Sequence, residues 1–263
     1  MSRIVVEDTA VGKITDLKNN CFRLSIAPFS KAASVKAGQF IHLQIPNCKL
    51  YFRRAFSVYT VNRDDNSIEI LFKVFGRGTA RLAECHKGDR INLVGPLGNS
   101  FKLPSKKETP ILVAGGVGMP PMRLLAEEMI DKGFEPEKIM YLYGGNTKDD
   151  LIDIARIRKL GLDVIPVTLD GSYGKKGMVT EPLIDILDNA KGKIRLYGCG
   201  PEGMLKAVDS IALERNLPGQ ISLEAPMPCG VGICLGCIKP LREGGYTRVC
   251  RDGPVYDFGE VVL

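Results

Sequence analysis

The chain of 263 residues has no tryptophan and only two histidines. No run of basic residues interleaves with aromatics, and the net charge of +6 is scattered, so nothing supports nucleic-acid binding. A mild basic bias suits phosphate-bearing cofactors instead. His42 and His86 are too few for a three-histidine zinc site, no His-Glu-x-x-His occurs, and both read as structural or surface residues. The longest apolar run, Ile111–Met119, falls short of the ~18 residues that span a bilayer. Met1–Asp8 lacks an apolar signal core, so the expectation is a cytoplasmic protein without membrane association. A hydrophobic fraction of 44% and a charged fraction of 25% exclude global disorder and collagen-like repeats. At ~150 residues per domain the length suggests one or two domains, large enough for a core without disulfides.

The first hundred residues predict short strands at Ala10–Leu17, Phe22–Ala27, Gln39–Gln44, Arg54–Thr60, Ser67–Val74 and Arg90–Val94, with one helix at Thr79–Cys85. Gly38, Pro46-Asn47, Asp64-Asp65-Asn66 and Lys87-Gly88-Asp89 punctuate them. Six strands so spaced predict a small antiparallel barrel. After the polar connector Pro104–Glu108, apolar strands at Ile111–Ala114, Ile139–Tyr143, Val164–Leu169, Ile194–Gly198 and Ile221–Leu223 alternate with helices. The helices are Pro121–Lys132, Asp150–Leu160, Glu181–Ala190 and Glu202–Asn216, Thr180 being the expected cap of the third. Such alternation predicts a parallel sheet covered on both faces. A Gly-, Pro- and Cys-rich lobe follows, with a turn at Gly244-Gly245. The expected division is residues 1–103, 109–224 and 225–263.

Of the eight cysteines, Cys21, Cys48, Cys85 and Cys199 are dispersed, while Cys229, Cys234, Cys237 and Cys250 crowd the lobe. Their spacing, C-x4-C-x2-C-x12-C, matches that of plant-type [2Fe–2S] ligands. A compact loop must present three thiolates from different directions, and Gly230, Gly232 and Gly236 allow the tight backbone this requires. Structural zinc is the alternative, but it is usually built from two C-x2-C knuckles and one exists here.

Arg54-Ala55-Phe56-Ser57 falls on an expected barrel strand. Arg54 offers a cationic fork suited to a pyrophosphate, and Ser57 a hydroxyl for a flavin ring; a surface Arg and Ser is the plain alternative. Leu71-Phe72-Lys73 is a weaker candidate. Gly76-Arg77-Gly78-Thr79 leads into a helix and reads either as an anion site or as a glycine turn with a Thr cap. Gly115-Gly116-Val117-Gly118-Met119-Pro120-Pro121 joins a strand to a helix start. It departs from G-x-G-x-x-G because Pro121 holds the third glycine position, and proline suits a helix start. Cys199-Gly200-Pro201 closes another strand, where ligands of open α/β sheets gather. Asp149 and Asp150 could hold a ribose, and Lys148, Lys175 and Lys176 a 2′-phosphate; NAD against NADP stays open.

Taken together, Arg54-x-x-Ser57, Gly78-Thr79, Gly-Gly-x-Gly-x-x-Pro and Cys199-Gly200-Pro201 resemble the ferredoxin reductase family. The resemblance implies a barrel that binds FAD through Arg54, Ala55, Phe56, Ser57, Leu71, Phe72, Lys73, Gly78 and Thr79. It implies a nicotinamide site at Gly115, Gly116, Gly118, Cys199, Gly200 and Pro201. Phe56 stands where many members carry Tyr. The stretches Ser222–Cys237 and Arg248–Tyr256 resemble more narrowly the electron-transfer subunits of class B dihydroorotate dehydrogenases. That implies a relay in pyrimidine (UMP) biosynthesis: hydride exchange between NAD(H) and FAD, then single electrons through a [2Fe–2S] cluster on Cys229, Cys234, Cys237 and Cys250. The cluster would serve the FMN of a separate dehydrogenase subunit in a heterotetramer. No general base is expected here. Alternatives are the reductase subunit of a ferredoxin:NADP oxidoreductase or sulfhydrogenase, and a zinc-stabilised, non-enzymatic nucleotide-binding regulator.

Overall fold

Alternating apolar positions shape the first half of the chain. The computed structural model describes residues 4–46 and 49–263; Cys48 and Asn47 of the expected Pro46-Asn47 turn lie outside the described residues. Strands β1 (Val5–Asp16), β2 (Cys21–Ala27), β3 (Phe40–Gln44), β4 (Arg54–Asn62), β5 (Ser67–Lys73) and β6 (Arg90–Leu97) close a barrel in the order β1-β2-β5-β4-β3-β6. Every pairing in it is antiparallel. Leu24, Ile26, Ile41, Leu43, Val58, Ile68, Ile70 and Leu93 fill its interior. β1 starts five residues before the expected Ala10, because its first half pairs with β6 and its second with β2. Closure demands a strand that long. Helix α1 (Arg77–Ala83) begins at an N-cap Gly76, before the expected Thr79. Thr79 is therefore inside the first turn, where its hydroxyl accepts from the N–H of Phe75 and of Gly76.

The second half alternates as its apolar runs require: β7 (Glu108–Gly115), α2 (Met119–Asp131), β8 (Met140–Gly145), α3 (Ile154–Arg158), β9 (Asp163–Thr168), β10 (Lys175–Lys176), α4 (Thr180–Asn189), β11 (Lys193–Cys199), α5 (Glu202–Glu214) and β12 (Gly219–Ser222). The sheet runs β10-β9-β8-β7-β11-β12, all parallel. Helix α2 starts at Met119 from an N-cap Gly118, two residues ahead of Pro121. Helix α3 is shorter than the expected Asp150–Leu160, since Thr147 caps a separate turn over Lys148–Asp150 and Asp153 takes a left-handed φ of 53°. Thr180 does not cap α4: Val179 before it is already helical, and no side chain caps that end.

The last lobe holds a hairpin, β13 (Ile238–Pro240) and β14 (Tyr246–Arg248), around the Gly244-Gly245 turn. The chain then returns to the large sheet as β15 (Val255–Asp257), antiparallel to β12. Among the described residues, no helix is long and apolar enough to cross a membrane.

Candidate functional site

Two clefts open at the carboxyl ends of the parallel strands, where the barrel faces the sheet. β7 is flanked by β8 on one side and β11 on the other, the switch point at which open α/β sheets bind ligands. Two backbone turns meet there. A Cβ on Gly118 would lie 2.6 Å from the Cys199 carbonyl and from Gly200 Cα, and one on Gly200 would lie 3.0 Å from Gly115 Cα. Glycine is thus required for the two turns to approach, whatever they bind. Gly115, Gly116, Gly118, Gly200 and Pro201 line a cleft of about 540 Å³.

A neighbouring cleft of about 270 Å³ gathers Arg54, Ala55, Phe56, Ser57, Leu71, Phe72, Lys73, Thr79 and Cys199. Gly78 joins Arg54 and Thr79 in an adjoining hollow. Along β4 the pleat turns Ala55 and Ser57 outward and buries Phe56 and Val58. Phe56 meets the Phe72 ring edge-on at 5.8 Å. Arg54 lies against Gly78, whose Cβ would be 3.3 Å from its Nε, and donates from Nη1 to the carbonyl of Phe52 at 2.7 Å. Lys73 reaches across to Asp150 at 3.5 Å. Asp150 is otherwise engaged by the N–H groups of Asn146 and Thr147, so its carboxylate serves the turn rather than standing free for a ribose.

Two residues on these walls escaped the sequence reading. Phe75, 76% exposed, borders both clefts and the hollow. Glu224 lines both clefts; shielding by the walls pushes its carboxyl above the ordinary value. Its place just beyond the carboxyl end of β12 was the available signal.

The four lobe cysteines sit in a bed of backbone N–H groups. Gly236 donates to Cys234 Sγ and Cys250 donates to Cys237 Sγ, each at 3.4 Å. Burial raises the Cys229 thiol, but N–H groups of Cys234, Val231 and Ile233 outweigh it and bring it down to about 6. Burial, then Cys237, pushes Cys250 up. Donors aimed at sulfur suit a thiolate-held cluster. Arg248 grips Asp252 through Nε and Nη2 at 2.9 and 3.0 Å, fixing the loop that carries Cys250. Cys237 and Cys250 are buried, whereas Cys234 is exposed beside Ile233 and Leu235. Among the described residues, no three His, Cys, Asp or Glu side chains are gathered closely enough to hold a single metal ion. None of the described cysteines is in a disulfide.

His42 is buried beneath this loop, not at the surface, while His86 is exposed. Burial and then the Arg53 charge lower its pKa to about 4, so it is neutral near pH 7.

Three stretches of the chain match known protein families. Residues 8–102 match an oxidoreductase FAD-binding domain, residues 112–210 an oxidoreductase NAD-binding domain, and residues 224–262 the iron-sulfur cluster binding domain of dihydroorotate dehydrogenase B. The dihydroorotate dehydrogenase B (NAD(+)) electron transfer subunit of Fusobacterium nucleatum is 34% identical over 98% of this chain and 99% of its own. That of Streptococcus mutans is 34% identical over 88% of both chains, and that of a Bacillus cereus strain 36% identical over 86% of both. Among solved structures, the NADH-dependent reduced ferredoxin-NADP oxidoreductase superposes with a TM-score of 0.83 at 27% identity, covering 97% of this chain and 89% of that one. The chain belongs to the family of dihydroorotate dehydrogenase B electron transfer subunits.

Proposed function

We propose that this chain relays electrons between NAD(H) and the FMN of a partner dihydroorotate dehydrogenase, through FAD and a [2Fe–2S] cluster, in pyrimidine biosynthesis. The observation that carries the reading is the sequence of shared walls. The larger cleft and the Arg54–Thr79 cleft share Lys73, Phe75, Val117 and Glu224. The Arg54–Thr79 cleft in turn shares Phe40, Ala225 and Met227 with the apolar core that holds Cys237 and Cys250. Because a nicotinamide carries two electrons as hydride and an iron–sulfur cluster one, a flavin belongs between them. The middle cleft is therefore the flavin's.

On this reading Arg54, with Gly78 and Thr79, holds the pyrophosphate, while Ala55, Phe56, Ser57 and Leu71–Lys73 seat the ring. Gly115, Gly116, Gly118, Cys199, Gly200 and Pro201 receive the nicotinamide. Cys229, Cys234, Cys237 and Cys250 hold the cluster. The division into residues 1–103, 109–224 and 225–263 follows these three tasks. The exposed Cys234, beside Ile233 at 79% and Leu235 at 55% exposure, supports docking of the FMN subunit on the cluster face. The assembly is a heterotetramer around a dehydrogenase dimer. Unpaired cysteines suit a reducing, cytoplasmic setting.

The test is reconstitution. The isolated chain should oxidise NADH with an artificial acceptor and leave dihydroorotate untouched. Adding the dehydrogenase subunit should create NAD-dependent dihydroorotate oxidation, which Cys237→Ser should abolish. Dihydroorotate turnover by the chain alone, or NAD coupling without the cluster, would overturn the relay. The likeness to a ferredoxin-NADP oxidoreductase favours a second reading with the same cofactors and another partner; ferredoxin-dependent NADP reduction in place of dihydroorotate coupling would select it.

A further inference from the structure

Strand β4 carries Arg54–Ser57 of the flavin cleft and, two residues on, Tyr59, which is fully buried. The nucleotide-binding half holds this side chain at both ends. The Arg123 guanidinium of α2 lies over the ring, 4.6 Å from its centre, and Nη1 donates to the Tyr59 carbonyl at 3.3 Å. The Tyr59 hydroxyl donates at 2.9 Å to Asp153, the N-cap residue of α3. Both attachments lead to the clefts. Helix α2 starts from the Gly115–Gly118 turn, and its Pro120 lines the Arg54–Thr79 cleft. Asp150 and Ile152, just ahead of Asp153, line the larger cleft. Tyr59 thus ties the strand of one cleft to two segments of the other.

Stability alone does not account for an arginine at this place. Arg123 is buried, its Nε has no partner among the described residues, and its ion pair is with Glu127 of its own helix. Burial holds the Glu127 carboxyl above its ordinary value despite that pair. An apolar side chain of similar volume would avoid the desolvation cost. What it could not supply is direction. Apolar burial follows area and has no preferred orientation, whereas a hydrogen bond and a planar guanidinium over a ring hold only within a narrow range of distance and angle. The apolar core that runs from the barrel into α2 joins the two halves, and Arg123 on Tyr59 sets their register.

We propose that Tyr59 and Arg123 are positioning residues for hydride exchange between NAD(H) and FAD, holding the nicotinamide turn in register with the flavin strand. The proposal rests on the assignment of the two clefts to those cofactors. In the exchange a hydride, two electrons with one proton, leaves NADH as NAD⁺ and enters FAD; neither residue touches it. A misplacement of about 1 Å, even when its cause is far from the chemistry, can cost about a hundredfold in rate.

Anaerobic stopped-flow on the full-length, FAD-loaded protein reads the step. Arg123→Met paired with Glu127→Gln, which leaves no charge unpaired, should slow flavin reduction at saturating NADH about tenfold. It should also weaken the long-wavelength charge-transfer absorbance of reduced flavin with NAD⁺, a signature of their stacking. FAD content and the NADH concentration giving half the limiting rate should stay within about twofold, because the residues set geometry rather than contact either cofactor. Tyr59→Phe keeps the ring under Arg123 and loses only the Asp153 bond, so it should be about threefold slower, with Tyr59→Leu as slow as the paired variant. A wild-type limiting rate and absorbance in the paired variant, or lost FAD or NADH affinity at an unchanged limiting rate, would overturn the proposal. If the paired variant fails to fold, Tyr59→Phe decides alone, a wild-type rate and absorbance refuting. Wild-type protein whose flavin NADH does not reduce fails the cofactor assignment itself, which is a separate result.

Discussion

The barrel meets its two neighbours through joints that differ in how much charge they carry. Toward the nucleotide-binding sheet an apolar core that runs from the barrel into α2 is accompanied by charged pairs. Arg23 from β2 pairs with Asp153 and with Glu69 of β5, which also takes Arg156. Tyr59 of β4 donates to Asp153 at 2.9 Å. Arg123 of α2, 3% exposed, stacks over the Tyr59 ring and pairs with Glu127 at 2.8 Å. Toward the cysteine lobe the contact has fewer charges: Phe40 and Leu97 pack on Val249, Cys250 and Tyr256, the Asn99 amide binds the carbonyls of Asp252 and Val255 and the N–H of Val255, and one exposed pair, Lys102–Asp257, joins the two at 3.0 Å. Partly buried ion pairs such as Arg23–Asp153 carry a desolvation cost, whereas close-packed apolar contacts do not. On the proposed assignment, the more charged joint lies on the nucleotide side of the barrel and the less charged joint on its cluster side.

Substitutions on either side should break this contrast. The largest effect is expected from Cys234→Ser, which should remove iron and sulfide while FAD stays bound, since the barrel packs its own core. Metal, sulfide and flavin analysis checks it, and normal iron would refute the ligand set. Next is Arg123→Ala, which leaves Glu127 without its partner and strips the Tyr59 ring. It should cost about 3 kcal/mol in denaturant unfolding with iron content unchanged; loss of the cluster as well would mean that the joints are coupled. Arg54→Ala should weaken FAD retention roughly tenfold to a hundredfold, the loss of a charge-assisted contact, and flavin titration of the stripped protein reads it. The smallest effect belongs to Glu224→Gln. A carboxyl held above its unfolded value binds its proton more tightly in the fold, so stability falls as pH rises from the unfolded value through the folded one. The amide should remove that slope and add about 0.5 kcal/mol or less at pH 7; a steeper slope in the variant would contradict the assignment.

The contrast was only partly visible in the sequence. Strand and helix succession showed, because period-2 and helical patterns are local. The cysteine spacing showed for the same reason: three of the four cysteines share one short loop. Arg54 and Ser57 were visible as a pair, yet their meeting with Cys199 depends on a contact between separate halves. Glu224 was passed over, since a lone Glu carries no pattern until its surroundings are known. Thr180 was taken for a cap because residue preference alone cannot see that Val179 is already helical. The three-residue β15 has no periodicity to read, and only its pairing with Gln220, Ile221 and Ser222 makes it a strand.

That short strand bears on how the protein is made. Until Val255–Asp257 emerge from the ribosome, Gly219–Ser222 form the open rim of the sheet, a template for stray pairing with other chains. The segment that follows the cysteine loops is thus also the edge guard of the nucleotide-binding half. A chain cut before it, even at a point that spares every flavin and nucleotide contact, should be prone to aggregate. Grafting the cysteine lobe onto another reductase would need a matching rim to receive it.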